Sequence, residues 1–309
     1  MSKATQLLRD LNLPEGDRYD LPSSTRRFPD GAHYRIEIPS VEGPAAMVAV
    51  IEAAQQHGIT LHRVSQGSGM MLLTDAELRE MARLGARHRI EVSLFVGPRA
   101  TWEGTGQPLT PDGKLMGWRH TGMDQLAYAF DDIVRGVEAG IRSILVADEG
   151  LLWLVKQGRH RGVLPADLVV KGSAVLGVGN PVGVRLLEEN GLDTINVASD
   201  ISLPRLAAMR QVVSLPLDLY IEGPDGLGGF TRYYEVPEII RIGAPVYLKF
   251  GLRNAPNIYP SGVHLEAAAI ATGRERVRRA AIGMELLARS GAKFAASPVG
   301  AEGLGIPQV

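Results

Sequence analysis

From residue 33 onward, short strand-like runs alternate with longer helix-like stretches, and this alternation repeats eight times. The strand-like runs are 33–39, 59–66, 90–96, 142–148, 167–172, 193–198, 216–222 and 245–250. Between them lie amphipathic stretches such as GPAAMVAVIEAAQQHG, TDAELREMARLGARH and MDQLAYAFDDIVRGVEAG. Thr74 and Glu77 have the spacing of a capping box, so a helix is expected to start there. Gly58, Gly140, Gly191 and Gly243 stand where helices are expected to stop. Strands strictly alternating with helices form parallel sheets, and eight such units close into a (β/α)8 TIM barrel. The rival arrangement is an open doubly wound sheet. The expected organisation is an N-terminal extension over residues 1–32 and a single barrel domain over 33–309, with no interior linker between them. The extension is expected to cover the bottom of the barrel or to reach a neighbouring subunit in a homo-oligomer.

The strands are not uniformly apolar, and this bears on function. A strand buried on both faces should read apolar throughout. In LDLYIEG (217–223), Leu217, Leu219 and Ile221 share one face, while Asp218, Tyr220 and Glu222 share the other. HYRIEI pairs Arg35 with Glu37 in the same way, and EVSLF pairs Glu91 with Ser93. Strand parity turns Arg35, Glu37, Arg63, Lys171, Asp218, Tyr220, Glu222 and Lys249 inward together. Charges on an interior are costly unless paired. They form either a satisfied ion-pair network or a polar reaction chamber.

Composition removes several functions. Net charge is −1, which provides no basic field for nucleic acid. No apolar run is long enough for a membrane helix, and the first residues lack the apolar core of a secretion signal, so a cytoplasmic location is expected. The chain has no cysteine, which excludes disulfides, thiolate nucleophiles and a cysteine-ligated iron–sulfur cluster. There is no G-x-S-x-G elbow and no H-E-x-x-H pair. His62 reads as a packed core histidine.

Three chemistries fit the inward set. Glu37 and Glu222 would act as acid and base or position a water. Lys171 or Lys249 would form an imine with a carbonyl, because a desolvated lysine beside another cation exposes its lone pair. Glu37, Asp148, Glu149 and Glu222 would supply oxygens to a hard divalent ion such as magnesium or manganese. Arg35, Arg63, Ser65, Gln66, Arg99, Tyr220 and Arg253 are the candidate substrate-binding residues. The connection after the third strand, residues 97–122, is unusually long and carries Trp102, Trp118, Arg99, Arg119 and His120; it reads as a lid. The run GPDGLGGFTRYYE (223–235), with four glycines in its first seven residues, reads either as a tight turn or as a source of free backbone amides for an oxyanion.

The segment LDLYIEGPDGLGGFTRYYE followed by VYLKFGLRN resembles the peptidase U32 family of barrel proteins, the collagenase-like peptidases. In that family a strand ends near a glycine and a turn, followed by an S-G-R-C-like element. The next strand ends in a K-I-E-G-R-like segment. Lys249, Gly251 and Arg253 echo the latter, and Phe250 and Leu252 depart from it. The resemblance implies a barrel hydrolase acting on a peptide or a small amide-bearing acid. Many members carry a cysteine cluster for an iron–sulfur centre that serves RNA hydroxylation or quinone biosynthesis; a cysteine-free chain cannot inherit those activities. The alternatives are a metal-dependent or Schiff-base lyase or aldolase acting on a small oxoacid, and a non-catalytic barrel that binds a small anion or a partner protein.

Overall fold

The computed structural model describes residues 2–102 and 106–309. Eight parallel strands close into one barrel in sequence order. They are β1 (Tyr34–Pro39), β2 (Arg63–Gln66), β3 (Glu91–Phe95), β4 (Ser143–Val146), β5 (Val169–Gly172), β6 (Thr194–Asn196), β7 (Leu217–Glu222) and β8 (Val246–Phe250). Helix α1 (Lys3–Asp10) precedes the barrel. Each strand is followed by its helix: α2 (Pro44–Gln56), α3 (Asp75–His88), α4 (Gly122–Glu138), α5 (Glu149–His160), α6 (Pro181–Glu189), α7 (Leu203–Val212), α8 (Val236–Gly243) and α9 (Glu266–Arg289). The open doubly wound alternative is excluded by the pairing of β1 with β8, in which Glu37 stands beside Lys249. Among the described residues, no helix is long and apolar enough to cross a membrane.

Local sequence sets the helix limits. Thr74 Oγ1 accepts from the Glu77 amide at 3.3 Å, and Glu77 Oε2 accepts from the Thr74 amide at 2.8 Å, which makes a complete capping box. At the far end of α6, Gly191 takes a φ of 99°, a conformation that costs a side-chain-bearing residue.

The outward residues of the strands are aliphatic. Ile36, Ile38, Val64, Val92, Leu94, Ile144, Val170, Ile195, Leu217, Leu219 and Leu248 pack against the helices in one continuous core. The N-terminal end of the barrel is sealed from two directions. Phe28 of the extension packs edge-on against Tyr247, with ring centroids 5.5 Å apart. The C-terminal segment passes beneath the barrel as well. Ala296 bridges Tyr34, the Ser297 carbonyl binds His62, and the Gly305 amide reaches Glu91. His62 is the structural residue its setting suggested. Its Nδ1 accepts from the Ile36 amide at 3.0 Å, so its Nε2 is the nitrogen that donates to Ser297 O at 2.8 Å.

Candidate functional site

The polar inward face is an ion-pair network that fills the barrel's middle. Arg63, fully buried on β2, touches three carboxylates. Its Nε lies 2.7 Å from Glu91 Oε1, and its Nη1 lies 3.2 Å from Glu37 Oε2 and 3.0 Å from Asp218 Oδ2. Lys171 on β5 contacts Glu37 Oε2 and lies 2.8 Å from Asp218 Oδ2. Lys249 on β8 lies 3.1 Å from Glu37 Oε1 and donates to Asn196 Oδ1 at 3.0 Å. Hydroxyls occupy further carboxylate lone pairs: Ser65 binds Glu37 at 2.7 Å, Ser143 binds Glu91 at 2.7 Å, and Thr194 binds Asp218 at 2.6 Å. The Arg63 guanidinium also stacks 3.6 Å over the Tyr247 ring. Three cations (Arg63, Lys171, Lys249) thus face three carboxylates (Glu37, Glu91, Asp218), and the network is neutral when all six are charged.

Ionisation follows from this packing. Burial alone would raise the Glu37 pKa, but Lys171, Lys249 and Arg63 hold it well below the usual carboxylate range. Burial lowers Lys171 to about 8, against the opposing pull of Asp218 and Glu37. Burial also pushes the Tyr220 phenol well above its ordinary value, so it stays protonated. Lys249 stands at the upper edge of the network, with its Nζ 4.6 Å from the centre of the Tyr220 ring. Its side chain keeps 4% of its surface exposed, whereas that of Lys171 keeps none. A reagent entering from the mouth therefore meets Lys249 first.

Several candidates stand elsewhere. Glu222 does not join Glu37. The β7–β8 register slips between Tyr220 and Glu222, so Glu222 pairs with outward-facing Phe250 rather than continuing the inward parity. Its carboxylate accepts from Tyr233 Oη at 2.5 Å and from the Arg253 amide at 2.9 Å, and lies 3.5 Å from Arg279 of α9. Arg35 lies at the sealed bottom rather than the mouth, because it is only the second residue of β1. It binds Ser297 Oγ at 2.9 Å and the Glu302 carbonyl at 2.6 Å. Gln66 spends its amide on the Gly69 backbone, and Arg253 pairs at the surface with Asp225 at 3.2 Å.

The four oxygens expected to hold a metal are likewise not brought together. Asp148 caps α5 through the Leu151 amide at 2.9 Å, and Glu149 pairs with Arg119 at 2.5 Å. Glu37 and Glu222 are engaged as above. Among the described residues, no group of three or more histidine, aspartate or glutamate side chains forms a metal-ligand cluster.

The long β3–α4 connection folds back onto the mouth, with residues 103–105 outside the described part. Trp118 packs on Phe95, the uppermost inward residue of β3, with ring centroids 6.1 Å apart; Leu145 and Ala147 join this cluster. Two residues take parts that their sequence positions alone did not assign. Asn196 holds Lys249, and its place at the end of β6 was the available signal. His120 is packed into the rim, neither ring nitrogen is hydrogen-bonded among the described residues, and its Nδ1 lies 3.9 Å from Asp148 Oδ2. Burial raises the Asp148 pKa, but the nearby His120 ring and the backbone amides of Leu151 and His120 outweigh it and bring the group to about 2.

No protein-family model matches the chain, and no curated protein matches it. Solved structures do share the barrel. A candidate fructose-1,6-biphosphate aldolase from Coccidioides immitis gives a TM-score of 0.48 at 14% identity, over 84% of this chain and 91% of that one. A truncated 3-deoxy-D-arabino-heptulosonate 7-phosphate synthase from Thermotoga maritima gives 0.46 at 13% identity, over 89% and 95%. A U32 peptidase gives 0.43 at 14% identity, over 77% and 98%. An aldolase, a synthase and a peptidase stand side by side at these values, so the similarity selects none of their activities.

Proposed function

We propose that the C-terminal mouth of this barrel is an active site for carbonyl chemistry, of the lyase or aldolase type, with Lys249 as the nucleophile and a small oxoacid as substrate. The observation that carries this reading is the setting of Lys249. Its amine is held by Glu37 and Asn196 at the top of a buried charged network, beside Tyr220 and on the accessible side of Lys171. Transfer of one proton from the Lys249 ammonium to water at the mouth frees its lone pair, and attack on the substrate carbonyl with loss of water then gives an imine. Once protonated, the imine accepts the electron pair released when the bond between the α and β carbons breaks; the β-hydroxyl gives its proton to water as its carbon leaves as a carbonyl, and the enamine left behind is reprotonated and hydrolysed. Tyr220 lines the amine with its ring; burial makes its phenol a weak acid, so the oxygen departing as the imine forms takes its proton from water at the mouth.

The hydrolytic reading has less support. It needs a free carboxylate to activate water, yet Glu37 is saturated by cations and a hydroxyl, and Glu222 is turned toward α9. The test is borohydride reduction of the full chain with pyruvate, glyceraldehyde and glyoxylate, read by intact mass and peptide mapping. A covalent adduct on Lys249 is expected with at least one, and Lys249→Met should abolish it. No adduct across the panel, or one mapped only to surface lysines, overturns the proposal.

A further inference from the structure

The charge balance of the barrel interior leaves one mouth residue unaccounted for. Arg99, which follows β3, is 4% exposed and makes no ion pair among the described residues. Its Nη2 donates to the Gly67 carbonyl, and its Nε has no hydrogen-bond partner among the described residues. Its guanidinium carbon stacks 4.1 Å from the Phe95 ring centre, 4.3 Å from Trp118 and 4.8 Å from Trp102. Because Phe95 is the uppermost inward residue of β3, the guanidinium lies over the barrel interior.

Arg210 shows what a purely structural buried arginine looks like in this chain. It too is 4% exposed and has no ion pair among the described residues, but the carbonyls of Gly243, Val213, Leu215 and Pro245 receive its N–H groups at 2.9–3.3 Å. Arg99 has one carbonyl where Arg210 has four. Stacked rings stabilise a cation through its faces and leave the in-plane N–H edge unused. That edge is the one that grips a carboxylate.

The acid nearest to hand, Glu42, acts on Arg99 through its charge without forming an ion pair with it. Glu42 accepts from the amides of Gly67 and Ser68 at 2.8 and 3.0 Å. Arg276, on which Glu42 and Tyr259 also act, adds a second buried guanidinium; its Nη1 donates to Thr272 Oγ1 at 3.1 Å, and its Nε has no partner among the described residues. Two buried guanidiniums, Arg99 and Arg276, therefore share one carboxylate, Glu42, and a buried charge without its own counterion is costly.

We propose that Arg99 recognises the carboxylate of a small 2-oxo acid, the ligand anion supplying the counterion that the fold withholds. This rests on the carbonyl-chemistry reading and names which carbonyl compounds the site takes.

The test separates the two claims by using the full chain and ligands that carry one group each. Propionate has the carboxylate without a ketone, acetone has the ketone without a carboxylate, pyruvate has both, and inorganic phosphate is a different anion. Calorimetric titration is expected to show saturable binding of propionate and pyruvate. Arg99→Gln and Arg99→Lys should each weaken it by about 30-fold or more, as for loss of one partner of a buried charge pair. Lys249→Met should leave propionate binding in place, so an absent borohydride adduct with intact Arg99-dependent propionate binding defeats the imine and spares this inference. Should either Arg99 variant fail to fold, the Arg99 Nε–H resonance of the wild-type chain is followed instead, and a propionate-dependent shift is expected. Binding of phosphate but not of carboxylates, no binding of propionate, or a resonance that does not respond overturns the proposal.

Discussion

Glu37→Gln is the most demanding test of the interior network. The substitution keeps size and hydrogen-bonding capacity but removes one of three carboxylates facing three cations. Lys171, Arg63 and Lys249 all touch the altered group, so the neutral cluster becomes one with an excess positive charge in a site closed to water. Removing one partner of a buried pair typically costs about 3–5 kcal/mol. For 309 residues at about 2.1 cal/mol/K each, the unfolding entropy is about 0.65 kcal/mol/K, so the melting temperature should fall by about 5–8 °C. The defect should shrink at alkaline pH. Lys171 already sits at about 8 because of burial, and without Glu37 it can shed the surplus charge by losing its proton. Adding Lys171→Met restores the balance, so the double variant should recover much of the loss. The assay is urea and thermal unfolding of the two single variants and the double, followed by circular dichroism between pH 7 and pH 9.5. A loss below about 1 kcal/mol for Glu37→Gln, or strictly additive losses in the double variant, would refute the coupled network.

Three further outcomes are expected. Lys171 has a native pKa of about 8 against an ordinary 10.5, so the unfolded chain binds the extra proton between these values; stability should rise with pH across that window, and Lys171→Met should flatten the rise. His62 is lowered by burial from 6.5 to about 4, so its contribution is whole above pH 6.5 and is lost as pH falls toward 4; His62→Gln should remove that limb from an acid-denaturation curve. Glu222→Gln should leave any Lys249 adduct intact while loosening the β7–β8 rim, visible as faster amide exchange at Arg253, whose N–H it binds; loss of the adduct would return Glu222 to the reaction.

Much of this arrangement was readable from side-chain order. Alternation of period two within strands, set in a repeating strand–helix frame, leaves a charged face only the barrel interior to occupy. Glu37, Arg63, Lys171, Asp218 and Lys249 were therefore identifiable as a converging group before their contacts were seen. Linear order could not show which ones neutralise one another, because contacts such as Lys171 with Glu37 cross the barrel between strands far apart in the chain. It also could not show the one-residue slip at the end of β7, since a bulge is a property of two paired strands. That slip alone turned Glu222 from the chamber to α9. The tail beneath the barrel and the aromatic cage around Arg99 are of the same kind. Each depends on a segment without periodicity finding a surface that exists only once the barrel has closed.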